Sequence, residues 1–169
     1  MDKAITPFTL QDFDNLYNFM LPIWKKTYKG IISDKQIDFL VNKYFKKENV
    51  DKFLQQGYEY YKIFDKGVLI FLEREKDIFL DKLYLDESLR GKNIPSLAFE
   101  FLLKRKKDIT LNVNQGNERA VKCYLKNGFT IEVSHDVVLE NGMINKDYIM
   151  RKKYKNEWNF SLVFWFYKL

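Results

Sequence analysis

A junction between a strand and a helix is encoded in residues 83–96, which read LYLDESLRGKNIPS. An apolar run ends at Leu85, a short polar loop follows, and an apolar-faced helix begins near Ser96. The first amides of a helix lack partners within it and, with the positive end of the helix dipole, form a site for anions. Arg90 and Lys92 add positive charge, so the segment predicts a phosphate-binding site.

Pro95 is the residue that fits this interpretation least. Proline suits the first turn of a helix, but it has no N–H group to offer a phosphate. A lost charge-assisted hydrogen bond costs about 1.5–3 kcal/mol. We therefore expect weaker anion binding than in a loop with a full set of amides, unless a neighbouring donor compensates.

Composition limits the chain to a few classes of protein. It has 169 residues, of which 46% are hydrophobic and 17% aromatic, as suits one globular domain with a real core. The net charge of +6 favours a polyanionic ligand, although a merely basic soluble surface explains it equally well. The basic residues are spread along the chain without a nucleic-acid motif, so we expect no nucleic-acid partner.

Cysteine and histidine each occur once, at Cys123 and His135. Their scarcity excludes an internal disulfide and the usual zinc ligand sets, so no metal is expected. We interpret Cys123 as a small buried residue. His135 and Asp136 are neighbours on a predicted strand and point to opposite faces, so we interpret His135 as structural rather than catalytic.

No signal segment opens the chain, and no apolar run reaches the length needed to span a bilayer. A cytoplasmic protein without membrane contact is therefore the expectation.

Helical periodicity follows a short predicted strand at 3–6. Thr9 with Asp12 and Ser33 with Gln36 are capping patterns that predict the start of two helices. From residue 58 onward, strand and helix patterns alternate, with turn signals at 65–67 and 141–142. We predict strands at 58–64, 68–73, 78–85, 109–113, 129–139 and 143–150, and helices at 96–106 and 117–127, with Asn117 as the N-cap of the last helix. The order predicts an α/β (α+β) fold with about seven strands.

A second segment, residues 111–129, reads LNVNQGNERAVKCYLKNGF and carries a resemblance to a known family. With the loop, it resembles the GNAT superfamily of acetyl-CoA-dependent N-acetyltransferases, and the element order agrees. The matching positions are Asn114, Asn117, Ala120, Tyr124 and Gly128-Phe129, with Arg90-Gly91-Lys92-Asn93-Ile94-Pro95 in place of the family's phosphate loop. The resemblance covers residues 1–152 and leaves an aromatic C-terminal extension, 153–169.

The resemblance implies a mixed, mostly antiparallel twisted sheet whose strands splay apart at the cofactor site. It implies that acetyl-CoA inserts its pantetheine arm between the strands at 78–85 and 109–113 and pairs with the backbone near Leu83 and Leu85. The N–H of Leu85 would then face the thioester carbonyl as an oxyanion donor. The expected coenzyme contacts are Leu83, Leu85, Arg90, Gly91, Lys92, Asn93, Ile94, Pro95, Ser96, Asn114, Asn117, Ala120 and Tyr124.

Basic residues on the flanking helices offer a further contact to an outlying phosphate, but a solvated helix face explains them better. These residues are Lys104, Arg105, Lys122 and Lys126.

Tyr124 is the predicted general acid, because a phenol can protonate a departing thiolate placed beside it. The general base is less clear from sequence. Glu73 is the candidate that we name, with Asp81 or a chain of waters as alternatives, although a surface charge at the end of a strand explains Glu73 better. Trp24 and Tyr28 follow the first helix, where the family often builds its acceptor pocket; they either stack on a cationic amine or simply pack in the core.

We therefore expect an N-acetyltransferase that transfers the acetyl group of acetyl-CoA directly to a primary amine within a ternary complex. The alternative is a degenerate, non-catalytic module of the same fold that senses coenzyme or binds a partner. The acceptor, a small molecule or a peptide amine, cannot be read from the sequence. The extension after residue 152 predicts an extra strand, a swapped element or a subunit contact, such as that of a homodimer.

Overall fold

A computed structural model describes residues 4–156 of the chain. Seven strands and five helices alternate within them, with a short 3₁₀ turn at Glu87–Leu89. They are β1 (Ile5–Pro7), α1 (Leu10–Tyr28), α2 (Asp34–Phe45), α3 (Lys47–Gln55), β2 (Tyr58–Ile63), β3 (Gly67–Glu73), β4 (Asp77–Leu85), α4 (Ile94–Leu103), β5 (Asp108–Asn114), α5 (Glu118–Lys126), β6 (Thr130–Val138) and β7 (Ile144–Lys152). The predicted roles of the aromatic extension fall mostly on residues 157–169, which lie outside the described range.

All seven strands form one sheet in the order β1-β2-β3-β4-β5-β7-β6. Only β4 and β5 are parallel, and every other neighbouring pair is antiparallel. The predicted mixed, mostly antiparallel sheet is therefore confirmed. Strand β7 lies between β5 and β6, so side chains of these three strands can meet on one face of the sheet.

Capping patterns set the start of the first two helices as expected, with one difference. The hydroxyl of Thr9 accepts from the amide of Asp12, and the Asp12 carboxylate closes a full capping box. Ser33 accepts from the amide of Gln36 at 3.2 Å. The Gln36 side chain, however, is buried and donates to the Asn145 amide oxygen at 2.6 Å. That contact replaces the second half of the predicted box.

Helices cover both faces of the sheet, so there are two apolar cores. One lies under α4 and α5 and includes Phe71, Phe99 and Phe129, each 2% exposed or less. The other lies under α1, α2 and α3 and includes Met20 and Phe45. Burial of each such side chain stabilises the fold by about 1.5–3 kcal/mol.

Strands β4 and β5 stay together over only four residue pairs, from Asp77↔Asp108 to Leu80↔Leu111. Beyond Leu80, β4 continues to Leu85 beside β3, while β5 continues to Asn114 beside β7. The two strands therefore diverge toward their carboxyl ends, as the family resemblance implies. The gap is the place where the sheet can take a ligand.

A register shift in β4 lies at the start of this gap. Ile70 pairs with Lys82 and Phe71 pairs with Leu80, so Asp81 is an extra residue without a partner on β3. In such a bulge the usual alternation of side chains is interrupted. Asp81 and Lys82 consequently both face the side of the sheet that α1 and α2 cover, where they line one cavity.

The joined ends of β4 and β5 are held by a buried carboxylate. Arg74 donates to the Asp77 carboxylate at 2.6 and 2.7 Å, and the Thr110 hydroxyl donates at 3.0 Å. The Arg151 guanidinium approaches it at 3.8 Å. The contacts link the β3–β4 turn to β5 and β7 at the end of the sheet opposite to the gap.

No helix within residues 4–156 is both long enough and apolar enough to cross a membrane.

Candidate active site

A cleft of about 250 Å³ occupies the gap between the diverging strands. Leu83 and Leu85 of β4 form one wall, and Ala120 and Tyr124 of α5 form another. Ile23 and Thr27 of α1 close the third side. The lining is mostly apolar, so the cleft suits the uncharged arm of a long ligand rather than a free ion.

Backbone groups of β4 face this cleft at two positions. The amide of Asp86 donates to the Lys66 carbonyl at 2.8 Å, which marks a hydrogen-bonded pair in the β3–β4 ladder. Such pairs alternate with pairs whose N–H and C=O groups point away from the partner strand. Leu85 and Leu83 occupy the alternate positions, opposite Gly67 and Leu69. Their N–H and C=O groups therefore point into the gap, where an extended ligand can pair with them.

The loop at the mouth of the cleft has the backbone of an anion site. Gly91 and Asn93 adopt left-handed conformations, with φ of 71° and 55°, just before α4 begins at Ile94. Among the described residues, the amides of residues 91–94 are not used in backbone hydrogen bonds. Pro95 occupies the first turn of α4 and its ring lines the cleft. The loop thus keeps four free donors although Pro95 lacks one.

Two guanidinium groups stand at the same mouth, Arg90 and Arg119. Burial and the positive charge of Arg90 both lower the pKa of Arg119, as expected for two cations held close together. Such a pair is favourable once an anion lies between the two groups. Arg119 was not among the predicted contacts. The sequence did offer one clue to this contact, because Arg119 lies on the first turn of the helix that the N-cap Asn117 begins.

Tyr124 lies partly buried in the wall of the cleft and packs against Phe99 and Phe129. Burial raises the pKa of its phenol above the usual value, and the nearby Cys123 thiol adds to the shift. The phenol is therefore protonated at neutral pH. The position and protonation state are those that a proton donor in the cleft requires.

Asn117 has the two environments that its motif predicts. Its side chain accepts from the amide of Ala120 at 3.3 Å as the N-cap of α5, and it also lines the cleft. Asn114 acts differently, because its side chain accepts from the amide of Gly116 at 2.9 Å and lines the opposite cavity. It supports the turn that leads into α5.

Besides Asn114, four predicted coenzyme contacts do not line the cleft. The side chains of Lys92 and Asn93 are exposed, and that of Ser96 donates to Glu100 at 3.3 Å. Ile94 is 6% exposed and belongs to the core beneath α4. A contribution from residues 92–94 therefore comes from the backbone rather than from the side chains.

A second cavity of about 160 Å³ lies across the sheet, under α1 and α2. Trp24 and Tyr28, the predicted acceptor-pocket residues, both line it. Tyr84 lines the cavity and the cleft, and its hydroxyl lies 2.8 Å from that of Tyr28. Burial raises the pKa of both phenols. The cavity and the cleft therefore adjoin at a pair of neutral hydroxyl groups.

Charged groups enter this cavity from β4 and β7. The bulge places Lys82 against Asp81, with 2.8 Å between the ammonium and the carboxylate, and 3.9 Å from the centre of the Tyr44 ring. Burial raises the pKa of Tyr44 to about 12. Asp147 of β7 lines the same cavity, and its side chain forms no ion pair within residues 4–156. Asp147 was missed because sequence alone does not reveal that β7 lies beside β5.

The assignment of Glu73 as general base does not agree with its position. Glu73 ends β3 opposite Ile78, whereas the cleft begins where β3 pairs with Leu83 and Leu85. Its carboxylate is exposed and binds Arg105 at 3.1 Å and Lys107 at 2.8 Å. These contacts lower the pKa of Glu73, which makes it a weaker base. Of the two carboxylates considered, only Asp81 reaches the acceptor cavity.

Two residues interpreted as structural lie close to the sites. Cys123 is partly buried in the cleft wall, and burial raises the pKa of its thiol. His135 faces Asp147 across the β6–β7 ladder, and its Nε2 is buried without a hydrogen-bond partner in the described part of the chain.

Comparisons with known proteins agree with this architecture. No family model matches the chain. The peptidyl-lysine N-acetyltransferase YjaB of Salmonella typhimurium is 28% identical over 114 residues, which cover 66% of this chain and 75% of that protein. The spermidine N(1)-acetyltransferase of Thermoplasma acidophilum is 26% identical over 170 residues and covers 92% of this chain and 100% of that protein.

Solved structures show the same fold. The PaiA N-acetyltransferase of Thermoplasma acidophilum, determined in complex with coenzyme A, aligns with a TM-score of 0.71 at 24% identity, covering 91% of this chain and 100% of that one. The apo form of YjaB from Escherichia coli aligns with a TM-score of 0.64 at 20% identity, covering 88% and 95%. The chain therefore has the fold of these GNAT-type N-acetyltransferase structures. Both sequence relatives are themselves N-acetyltransferases.

Proposed function

We propose that this protein transfers the acetyl group of acetyl-CoA to a primary amine by direct attack within a ternary complex. The observation that carries the proposal is the meeting of two unlike sites at Tyr84. On one side lies an apolar cleft with a basic, amide-rich mouth, and on the other a polar cavity with aromatic and carboxylate walls. A cosubstrate and an acceptor can approach each other only at such a junction.

The cleft suits the shape and charge of coenzyme A. The free amides of residues 91–94, with Arg90 and Arg119, match a pyrophosphate at the mouth. Leu83 and Leu85 offer outward-facing backbone groups to an amide-bearing arm, in the manner of strand addition. When bound there, acetyl-CoA would supply the activated acetyl group.

Residues of the chain would then act on the reacting groups. The N–H of Leu85 donates to the acetyl oxygen as negative charge develops on it. The Tyr124 phenol donates a proton to the departing sulfur. No covalent enzyme intermediate is needed, which agrees with the lack of an activated nucleophile among the cleft residues.

An amine is the acceptor that the cavity favours. Trp24 and Tyr28 line it with aromatic rings, a type of group that attracts cations, and Asp147 supplies a carboxylate without an ion-pair partner among the described residues. The named acceptors of the two relatives, spermidine and a peptidyl lysine, are both amines. We expect the protein to be cytoplasmic, and its assembly state, including a homodimer through the C-terminal extension, stays a prediction.

Calorimetry with acetyl-CoA, followed by a thiol-release assay over a panel of primary amines, tests the proposal. Saturable binding and acetyl-CoA-dependent release of thiol with at least one amine are the expected results. No detectable heat at millimolar acetyl-CoA would instead favour the alternative, a degenerate module of this fold without catalysis. Binding without turnover on any amine would favour a coenzyme sensor.

A further inference from the structure

We propose that Asp147 is a catalytic residue that binds the acceptor as an ammonium ion and removes the proton that must leave before attack. The acceptor class would then be a small aliphatic primary amine. The inference rests on the proposed acetyl transfer and assigns its missing base. Its three supports are the free carboxylate of Asp147, the balance of charge in the cavity and the size of that cavity.

Asp147 is held in place by the sheet but not used by it. It pairs with Asn114 of β5 on one side and His135 of β6 on the other. Its main-chain oxygen accepts from the Gln115 side chain at 3.2 Å. Within residues 4–156 its carboxylate has no hydrogen-bonding or ion-pair partner, although the residue is partly buried. Partial burial of a carboxylate without a partner costs free energy, and a ligand that supplies a donor would offset that cost.

The other charges of the cavity compensate each other. Asp81 and Lys82 form an ion pair at 2.8 Å, and the Lys82 ammonium also lies over the Tyr44 ring. Because the charges of Asp81 and Lys82 cancel, Asp147 is the one charged residue without an ion-pair partner that lines the cavity among the described residues. The His135 imidazole lies beside it. A ligand with one positive charge completes the balance, whereas an anionic one would meet repulsion.

Size restricts the acceptor further. The cavity is about 160 Å³, and Trp24, Phe79 and Tyr44 enclose it with rings. The indole N–H of Trp24 is buried without a hydrogen-bond partner among the described residues. A short alkyl chain ending in an ammonium fits these walls. An amine on a bulky rigid scaffold does not.

Burial also makes it easier for an ammonium to give a proton to a carboxylate, although their pKa values in water are far apart. In water a carboxylate is a far weaker base than an amine. Burial raises the pKa of Asp147, although His135 and Lys82 act against that shift. The same desolvation lowers the pKa of an ammonium bound beside it. Both changes favour the neutral pair, which is the state with a free lone pair on nitrogen.

The proton balance of the reaction is then complete. The ammonium gives one proton to the Asp147 carboxylate, and its lone pair forms the C–N bond to the acetyl carbon. The C–S bond breaks, and the sulfur takes the proton of Tyr124. The nitrogen still carries one proton more than an amide needs, and that proton returns to the Tyr124 phenolate. Asp147 releases its proton to solvent after each turnover.

The test uses the full chain saturated with coenzyme A, with butylamine as the probe and 1-butanol as its neutral counterpart. Titration calorimetry should show that Asp147→Asn weakens butylamine binding about tenfold or more, as expected for a lost charge-assisted hydrogen bond. Binding of butanol should not change. The matched control is Asp136→Asn, the same substitution at an exposed position of β6, which should bind both probes as wild type does.

A pH profile separates proton removal from mere binding. Wild-type kcat/KM for butylamine should fall on the acid side as Asp147 becomes protonated, and Asp147→Asn should lose that limb. The titratable and charged groups in the cavity with Asp147 or beside it are His135 on β6, Asp81, Lys82 and Tyr84 on β4, Tyr28 on α1 and Tyr44 on α2. His135→Gln is therefore included, and it should retain the acid limb.

Each outcome discriminates. Equal butylamine binding by wild type and Asp147→Asn overturns the inference, as does an unchanged acid limb in that variant. Weaker amine binding in the variant, with no acetyl transfer by wild type to any amine, supports the binding part and overturns the proposed function instead. Asp147→Ser takes the place of the asparagine variant if thermal unfolding shows that the latter does not fold.

Discussion

The hydroxyl oxygens of Tyr28 and Tyr84 lie 2.8 Å apart and join the last turn of α1 to the part of β4 that does not pair with β5. The pair stands where the cleft and the acceptor cavity adjoin, because Tyr84 lines both. It therefore fixes the position of the first helix relative to the coenzyme side of the sheet.

Removing both of these hydroxyls should destabilise the fold by less than the sum of the two single removals. Tyr28→Phe or Tyr84→Phe leaves a buried hydroxyl without its partner, which costs about 1–3 kcal/mol. The double variant leaves none, so its loss should be smaller than the sum of the single losses. Urea unfolding of the four proteins measures the coupling. Strictly additive losses would show that the hydroxyl contact contributes nothing.

Tyr124→Phe should lower kcat about 100-fold or more, because the sulfur would leave without its proton donor. The Kd of acetyl-CoA should change little, since the ring still packs against Phe99 and Phe129. Assays of thiol release measure kcat, and calorimetry measures the Kd of acetyl-CoA. Tyr154→Phe, after β7 and away from the cleft, is the control. Unchanged turnover in the Tyr124 variant would refute its role as the acid.

Arg119→Gln should weaken acetyl-CoA binding about five- to tenfold at low ionic strength, since it removes one of two cations at the mouth of the cleft. The effect should shrink as salt is added, because exposed charges are screened. Lys122→Gln changes an exposed residue on the same helix that pairs with Glu118, and it should bind as wild type does. If both variants lose affinity equally, a general loss of positive charge explains the result.

Pro95→Ala should tighten acetyl-CoA binding by up to about tenfold, because it restores an amide in the first turn of α4. The KM for the acceptor amine should stay the same, since that cavity lies across the sheet. Calorimetry of the folded variant measures its affinity for acetyl-CoA. Unaltered affinity would mean that the free amides of residues 91–94 already satisfy the ligand.

Asp77→Asn should lower the free energy of unfolding by about 3 kcal/mol at pH 7, since it breaks a buried ion pair. Burial acts to raise the pKa of Asp77, but the hydrogen bonds from Arg74 and Thr110 lower it overall. The stabilisation is therefore present above the unfolded pKa of about 3.9 and is lost as pH falls through the lower folded pKa.

Urea unfolding between pH 7 and 2 measures the difference in free energy of unfolding between wild type and Asp77→Asn. The control is Asp51→Asn, the same substitution at an exposed position. A difference that stays constant down to pH 2 would contradict the role of the ionised carboxylate.

Local patterns were enough to place the helices and strands, because each depends on residues that are near in sequence. The Thr9 capping box, the Asn117 N-cap and the divergence of β4 and β5 appear where predicted. Side-chain roles were harder to predict where they depend on strand order. Glu73 was named as the base because it lies on a central strand, yet the ladder places it at the end of the sheet far from the cleft, as a surface charge. Asp147 became visible only once β7 was known to lie beside β5.

The bulge in β4 brings together two side chains that a regular strand would separate. Strict alternation would place Asp81 and Lys82 on opposite faces of the sheet, and so would separate the two members of an ion pair. One extra residue relative to β3 brings both to the acceptor side. Such an insertion leaves no mark on the hydrophobic pattern of 78–85, so only the observed pairing reveals it.

The short parallel junction also bears on how the molecule folds. Four residue pairs join β1–β4 to β5–β7, and α4 crosses from one group to the other. Each group has its own antiparallel ladders, so few backbone hydrogen bonds join the groups, and the core under α4 and α5 is their main connection. A coenzyme lying along the gap would act as an added strand between the two groups. Its binding would then add main-chain hydrogen bonds between parts of the sheet that side-chain packing alone now joins.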